Sequence, residues 1–326
     1  MTSSVLIGIP YHVSDDQFYL NSTLLSIRDK LGKDVDILIA TDENAPALMV
    51  PTNAFQTRVR GHGVGKARNA AGQIAYERKY DCLIFMDSHM TVLSDDFLKI
   101  CGSKIGQPKI VLAEIYNGVL KNVLKYVIPP MVDRNRYTLG SFLDKNTWKW
   151  AYIYNTMFNR TVMTTEPSYA VNRDVIEALI QAQGKVTLGE YWGKESFDLT
   201  VSAARLGYTI GIYPGIEIAH IYKIGSPSWS SRFTETRCVN EPFCGVLTGS
   251  VYHNGIKWGD CVYALKHYPT IDGLPVDKTV CELVKRYDVD AMARIRQFNS
   301  YARYSLDDVY KRLEQYLTGA SWSYVQ

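Results

Sequence analysis

Short apolar runs alternate with amphipathic stretches over the first ~115 residues. Val5–Ile9 is an apolar run expected to end at Pro10. Leu20–Leu31 carries apolar residues at Leu20, Leu24, Leu25, Ile27 and Leu31. Val35–Ala40 and the weaker Phe55–Val59 read as further strands. Gly65–Tyr80 places Ala67, Ala70, Ala71, Ile74 and Ala75 near a 3.6-residue spacing, the signature of a helix with one buried face. Cys82–Met86 and Ile110–Ala113 read as strands, with a helix over Phe97–Ile105 capped by Ser94 or Asp95. Strands and helices in this rhythm imply a mostly parallel sheet covered by helices on both faces, an α/β fold.

The alternation fades over 114–165, a stretch rich in Tyr, Asn, Arg and Trp, and then resumes. Thr165–Val171 is strand-like. Arg173–Gln183 is helical, with Asn172 as cap and Gly184 as stop. A helix over Lys194–Leu206 and a strand over Thr209–Tyr213 follow. The tail, about 276–318, reads as helical, with a capping box from Ser305 to Asp308. The expected division is one α/β domain over 1–230, in halves of 1–115 and 116–230. A mainly helical extension would cover 231–326.

A net charge of +3 spread over 326 residues supplies no concentrated basic face, so nucleic acid is not an expected partner. The six Cys include no Cys-x-x-Cys pair, so a zinc ribbon is not expected; Cys82 and Cys101 sit in apolar settings typical of buried thiols. Cys238 and Cys244 could pair only in a secreted protein. No stretch reaches the ~18 apolar residues of a membrane span, and the first residues show no signal-peptide pattern. The expectation is a soluble, cytoplasmic protein without a membrane span; oligomeric state is not readable.

The chemistry concentrates at Asp87-Ser88-His89, directly after the apolar run Cys82–Met86. In an open α/β sheet, ligands bind beyond the carboxyl ends of the strands. A carboxylate and an imidazole there form a mixed oxygen and nitrogen donor set, suited to a divalent transition ion such as Mn²⁺. An ion held by few side chains keeps positions open for a diphosphate. Taken alone, Asp-x-His is a weak motif, more often the mark of a strand-end turn with a half-exposed His.

The whole phrase GHGVGKARNAAGQIAYERKYDCLIFMDSHM resembles the nucleotide-sugar half of GT-A glycosyltransferases. Asp-x-His in place of the commoner Asp-x-Asp is similar to the polypeptide N-acetylgalactosaminyltransferases. Leu188–Lys223 resembles that family's Trp-Gly-Gly-Glu segment: Trp192, Gly193 and Glu195 match, and Lys194 replaces the second Gly. The aromatic phrase SFLDKNTWKWAYIY, with Trp148 and Trp150, resembles the acceptor side. The resemblance covers about 4–223. No Gln-x-Trp repeats follow, so the family's lectin domain is expected to be absent.

The resemblance implies roles residue by residue. Asp87, His89 and His220 would bind the cation. Pro10, Tyr11, Asp42, Gly63, Lys66, Arg68, Asp87 and Ser88 would line the UDP site. Within it, Asp42 would accept the uracil N–H or ribose hydroxyls, and Arg68 or Lys66 would meet diphosphate or uracil. Glu195 and Trp192 would contact the transferred sugar and count, with Arg68, as catalytic. Lys223, Ser226 and Trp229 lie in a loop expected to close over the nucleotide. The implied activity is a metal-dependent retaining transfer of N-acetylgalactosamine or a related hexose from a UDP-sugar to a polypeptide Ser or Thr. In it, the leaving phosphate takes the acceptor proton. The alternatives are an inverting transferase building polysaccharide or glycolipid, with Glu195 or Asp198 as base, and a catalytically silent glycan-binding relative.

Overall fold

In a computed structural model of the chain, the residues described are 4–12, 15, 17–33, 35–50, 54–60, 63–95, 110–118, 121–122, 127–128, 139–143, 150–154, 168–187, 195–208, 210–221, 270–271, 274–275, 296–305, 308–309, 311 and 322–324. The expected helix at 97–105, the cysteines other than Cys82, and Trp148, Trp192, Lys223, Ser226 and Trp229 lie outside them. So does most of 231–326.

Eight strands form the central sheet: β1 (Val5–Tyr11), β2 (Asp36–Asp42), β3 (Ala54–Val59), β4 (Cys82–Met86), β5 (Met90–Val92), β6 (Ile110–Gly118), β7 (Ser168–Asn172) and β8 (Ile210–Ile221). Among the described residues, four helices flank it: α1 (Gln17–Leu31), α2 (Val64–Glu77), α3 (Arg173–Gln183) and α4 (Glu195–Arg205). The strand order is β3-β2-β1-β4-β7-β6-β8-β5. β1, β2, β3 and β4 pair in parallel, as do β6 and β8. β7 runs antiparallel between β4 and β6, and β5 antiparallel on the outer side of β8. The result is a mixed α/β sheet, mostly parallel, with helices packed against it.

Period-2 alternation divides the core into two layers. Val5, Ile7 and Ile9 of β1, with Ile37 and Ile39 of β2, pack under Leu20, Leu24, Ile27 and Leu31 of α1. Leu6, Leu38, Leu83 and Phe85 point the other way, onto Ala71 and Ala75 of α2 and Val175, Ile176 and Leu179 of α3. The alanines are small for a reason. A Cβ on Gly8 would stand 2.7 Å from the Ala71 Cβ, so α2 touches the sheet almost backbone to backbone.

Several boundaries differ from the sequence reading. β1 runs through Pro10 to Tyr11 and stays paired with β2 there, whereas Gly8 is its last residue paired with β4. A Pro is tolerated where one edge of a strand has no partner. β8 is longer than expected: it continues past Pro214 to Ile221, with an irregular register between Ile212 and Glu217. Asn172 does occupy the cap position of α3, but its side chain makes no cap bond; Arg173 N–H donates instead to the Asp81 carbonyl at 3.0 Å. Gly184 stops α3 in the left-handed conformation (φ 77°). The Ser305–Asp308 box forms with both reciprocal bonds, Ser305 N–H to Asp308 Oδ2 at 3.0 Å and Asp308 N–H to Ser305 Oγ at 3.1 Å.

The burial of α1 also departs from its apolar pattern. Leu25 is left 45% exposed while Ser22, Thr23 and Ser26 are buried. The reason lies at β5, the last strand of the sheet order. Thr23 Oγ1 accepts the Met90 N–H at 3.0 Å and lies 3.0 Å from the Ser88 carbonyl; Ser26 Oγ accepts the Val92 N–H at 3.1 Å. Two hydroxyls of α1 therefore satisfy two N–H groups on the outer edge of β5, where a strand would otherwise leave them unpaired. Thr23→Val keeps the side-chain volume but strands the Met90 N–H. It should cost about 1–3 kcal/mol in a denaturant titration. A change within about 0.5 kcal/mol would mean that Thr23 only fills space.

Candidate functional site

Three side chains meet where β4 ends. Asp87 follows β4 immediately, His89 precedes β5 by one residue, and His220 lies in β8 directly opposite Met90. One ligand atom from each lies within 4.8 Å of the others. Asp87 Oδ2 is 3.9 Å from His220 Nε2, and the two imidazole rings stand 4.8 Å apart at 52°. His220 is buried, and Asp87 and His89 are half-buried. A carboxylate and two imidazoles gathered this closely, with part of the cluster open to solvent, fit the donor set of a divalent transition ion.

Arg68 reaches the cluster from α2. It is 3% exposed, so it is not part of a solvated basic face. Its Nη2 donates to Asp87 Oδ1 at 3.4 Å and its Nη1 to the Tyr169 hydroxyl at 3.2 Å. The guanidinium also lies 5.8 Å from the Phe85 ring centroid and 5.5 Å from that of Tyr169. One carboxylate oxygen of Asp87 thus faces the guanidinium and the other faces His220.

A second pair sits at the carboxyl ends of the neighbouring strands. His12 Nε2 is 3.1 Å from Asp42 Oδ2, and Asp42 is buried. Tyr11 is buried too, its hydroxyl donating to the Asp15 carbonyl at 2.8 Å. Because β1, β2 and β4 are parallel, this pair and Asp87 share one edge of the sheet. Pro10 lies within β1. Gly63 precedes α2 at φ 138°, a value that disfavours side chains. Lys66 donates from Nζ to the Arg60 carbonyl at 3.4 Å. Ser88 is buried, its hydroxyl 3.1 Å from Asp15 Oδ2. Glu195 opens α4, but its side chain is outside the described residues, as is Trp192.

Asp15, Thr23 and Tyr169 touch residues of this site, and Ser26 holds the strand behind it; the sequence patterns do not single them out. A serine and a threonine at i and i+3 inside a helix are the one signal for two of them, since such residues bond best when facing backbone groups. Nothing in the spacing marks Asp15 or Tyr169.

No protein-family model matches the chain, and no curated protein matches its sequence. Among solved structures, the chain is similar to GalNAc-T7 bound to UDP, GalNAc and Mn²⁺, at a TM-score of 0.56 and 18% identity. The match covers 89% of this chain and 55% of that one, so the chain spans about half the length of that structure. A197 from STIV aligns over 68% of this chain and 86% of its own at 12% identity, with a TM-score of 0.39. Among the described residues, no helix is long and apolar enough to cross a membrane.

Arg68→Met keeps much of the length but removes the charge between Asp87 and Tyr169. Asp87 keeps partial solvation, so the expected loss is about 2 kcal/mol in a denaturant titration, below the range for a fully buried pair. A loss under about 0.5 kcal/mol would return Arg68 to the status of a surface base. The fold in which these residues converge is the one shared with GalNAc-T7.

Proposed function

We propose that the chain is a metal-dependent retaining glycosyltransferase. It moves a sugar, N-acetylgalactosamine or a related hexose, from a UDP-sugar to a Ser or Thr hydroxyl of a polypeptide. The observation that carries this reading is the convergence of Asp87, His89 and His220 at the carboxyl edge of a GT-A sheet. Those three side chains would hold Mn²⁺ or another divalent cation. Such an ion, when bound, supplies positive charge beside the diphosphate that leaves the sugar.

The chain's own residues divide the remaining work. Asp42, held by His12, accepts from the uracil N–H or the ribose hydroxyls. Tyr11, Pro10 and Gly63 line the same edge, and Lys66 brings positive charge from the first turn of α2. Arg68 meets the diphosphate or uracil and also holds Asp87 with Oδ2 toward His220. Glu195, at the start of α4, and Trp192 receive the sugar. Oriented charge of this kind acts where charge develops, at the bond between the anomeric carbon and phosphate. The departing phosphate oxygen takes the proton of the attacking hydroxyl on the same face of the sugar. No side chain then has to act as base.

The test is a panel of UDP-sugars assayed for hydrolysis with and without Mn²⁺, followed by mass spectrometry of Ser/Thr peptides and the anomeric configuration of the product. Cation-dependent hydrolysis of one UDP-hexose and a peptide carrying it with retained configuration are expected. His220→Ala should lower turnover by about 100-fold or more, beyond the loss typical of a residue that merely supports a ligand, without unfolding the protein. Wild-type turnover in that variant would refute the ligand assignment.

A further inference from the structure

The turn that carries His89 holds a hydrogen-bonded chain that ends on a carboxylate of a different segment. Ser88 Oγ is 3.1 Å from Asp15 Oδ2 and 3.5 Å from His89 Nδ1, the latter at the outer end of hydrogen-bond range. An ionised carboxylate can only accept, so the single proton of the Ser88 hydroxyl goes to Asp15. The Ser88 oxygen can then only accept from the imidazole, which places the ring proton on Nδ1. Nε2 keeps its lone pair, the form that a metal-binding histidine needs.

Asp15 is itself fixed. Its N–H donates to the His12 carbonyl at 2.8 Å, and its carbonyl accepts from the Tyr11 hydroxyl at 2.8 Å. Ser88 is 3% exposed, and its carbonyl lies against Thr23 Oγ1. Asp15 and Ser88 are therefore both anchored, one to the end of β1 and the other to α1.

We propose that Asp15 is a positioning residue that acts through Ser88 to set the tautomer and orientation of His89. Ser88 accordingly serves the imidazole rather than the nucleotide. The proposal rests on the reading of Asp87, His89 and His220 as a cation site, and its test separates the two.

The measurement is a long-range ¹H–¹⁵N spectrum of the full chain labelled at histidine, without metal, at a pH where the imidazoles are neutral. His89→Gln assigns the signal. Wild-type protein should show His89 with its proton on Nδ1. Asp15→Ala and Ser88→Ala should shift it toward the Nε2–H form, and Asp15→Asn, which keeps an acceptor oxygen, should hold it. Titration with Mn²⁺ alone, followed by its electron paramagnetic resonance signal, should show affinity about 10–100-fold lower in Asp15→Ala and largely restored in Asp15→Asn. An Nε2–H tautomer in the wild type, or a tautomer unmoved in both Asp15→Ala and Ser88→Ala, overturns the proposal. So does an Asp15→Asn variant as weak as Asp15→Ala, because the loss would then follow the charge alone. If wild-type protein binds no Mn²⁺, the cation reading fails, and the metal-free spectrum still decides the role of Asp15.

Discussion

His89 meets His220 because β5 docks antiparallel on the outer side of β8, with Met90 opposite His220. Three residues of strand are a weak attachment by themselves. The attachment becomes secure because the other edge of β5 is closed by Thr23 and Ser26 of α1. These bonds are buried, where an unmet N–H is costly and a met one holds its position. α1 packs over β1 and β2 by its leucines, so the same helix ties the turn at 87–89 to the edge where His12 and Asp42 pair. The proposed cation and nucleotide sites thus share one support.

Asp87 is the point at which charge is balanced. Its carboxylate lies between a buried guanidinium and an imidazole, with one oxygen toward each. A buried arginine beside a proposed cation site is costly unless it is paired and hydrogen-bonded. Here Asp87 and Tyr169 supply both acceptors, and Phe85 and Tyr169 supply aromatic faces. Tyr169 comes from β7, which runs antiparallel between β4 and β6. The two halves of the sheet are therefore joined chemically at the same carboxylate, and not only through strand pairing.

Local pattern carried most of the first half of the fold. Cys82–Met86 was legible to the residue, because five consecutive apolar side chains between a charged turn and Asp87 permit little else. The end of β1 was not, because Pro10 reads as a stop unless it is known that one neighbour of the strand has ended. The length of β8 was hidden in the same way: Pro214 and Gly215 look like a loop until β6 and β5 are seen to pair with the residues beyond them. Asp-x-His stood out by residue type at a strand end. His220 entered the ligand set through resemblance to a family, since GIEIAH is equally a buried strand with a structural histidine.

The backbone pattern and residue chemistry were thus fixed by neighbours along the chain: which segments are strands, which face of each is apolar, and which turn bears ligand atoms. These follow from periods of 2 and 3.6 and from donor types, all short-range properties. Which groups meet was decided only by packing. Asp15 to Ser88, Thr23 to Met90, Arg68 to Tyr169 and Asp87 to His220 are separated by 67 or more residues. Their contacts depend on strand order and register, which no local pattern contains.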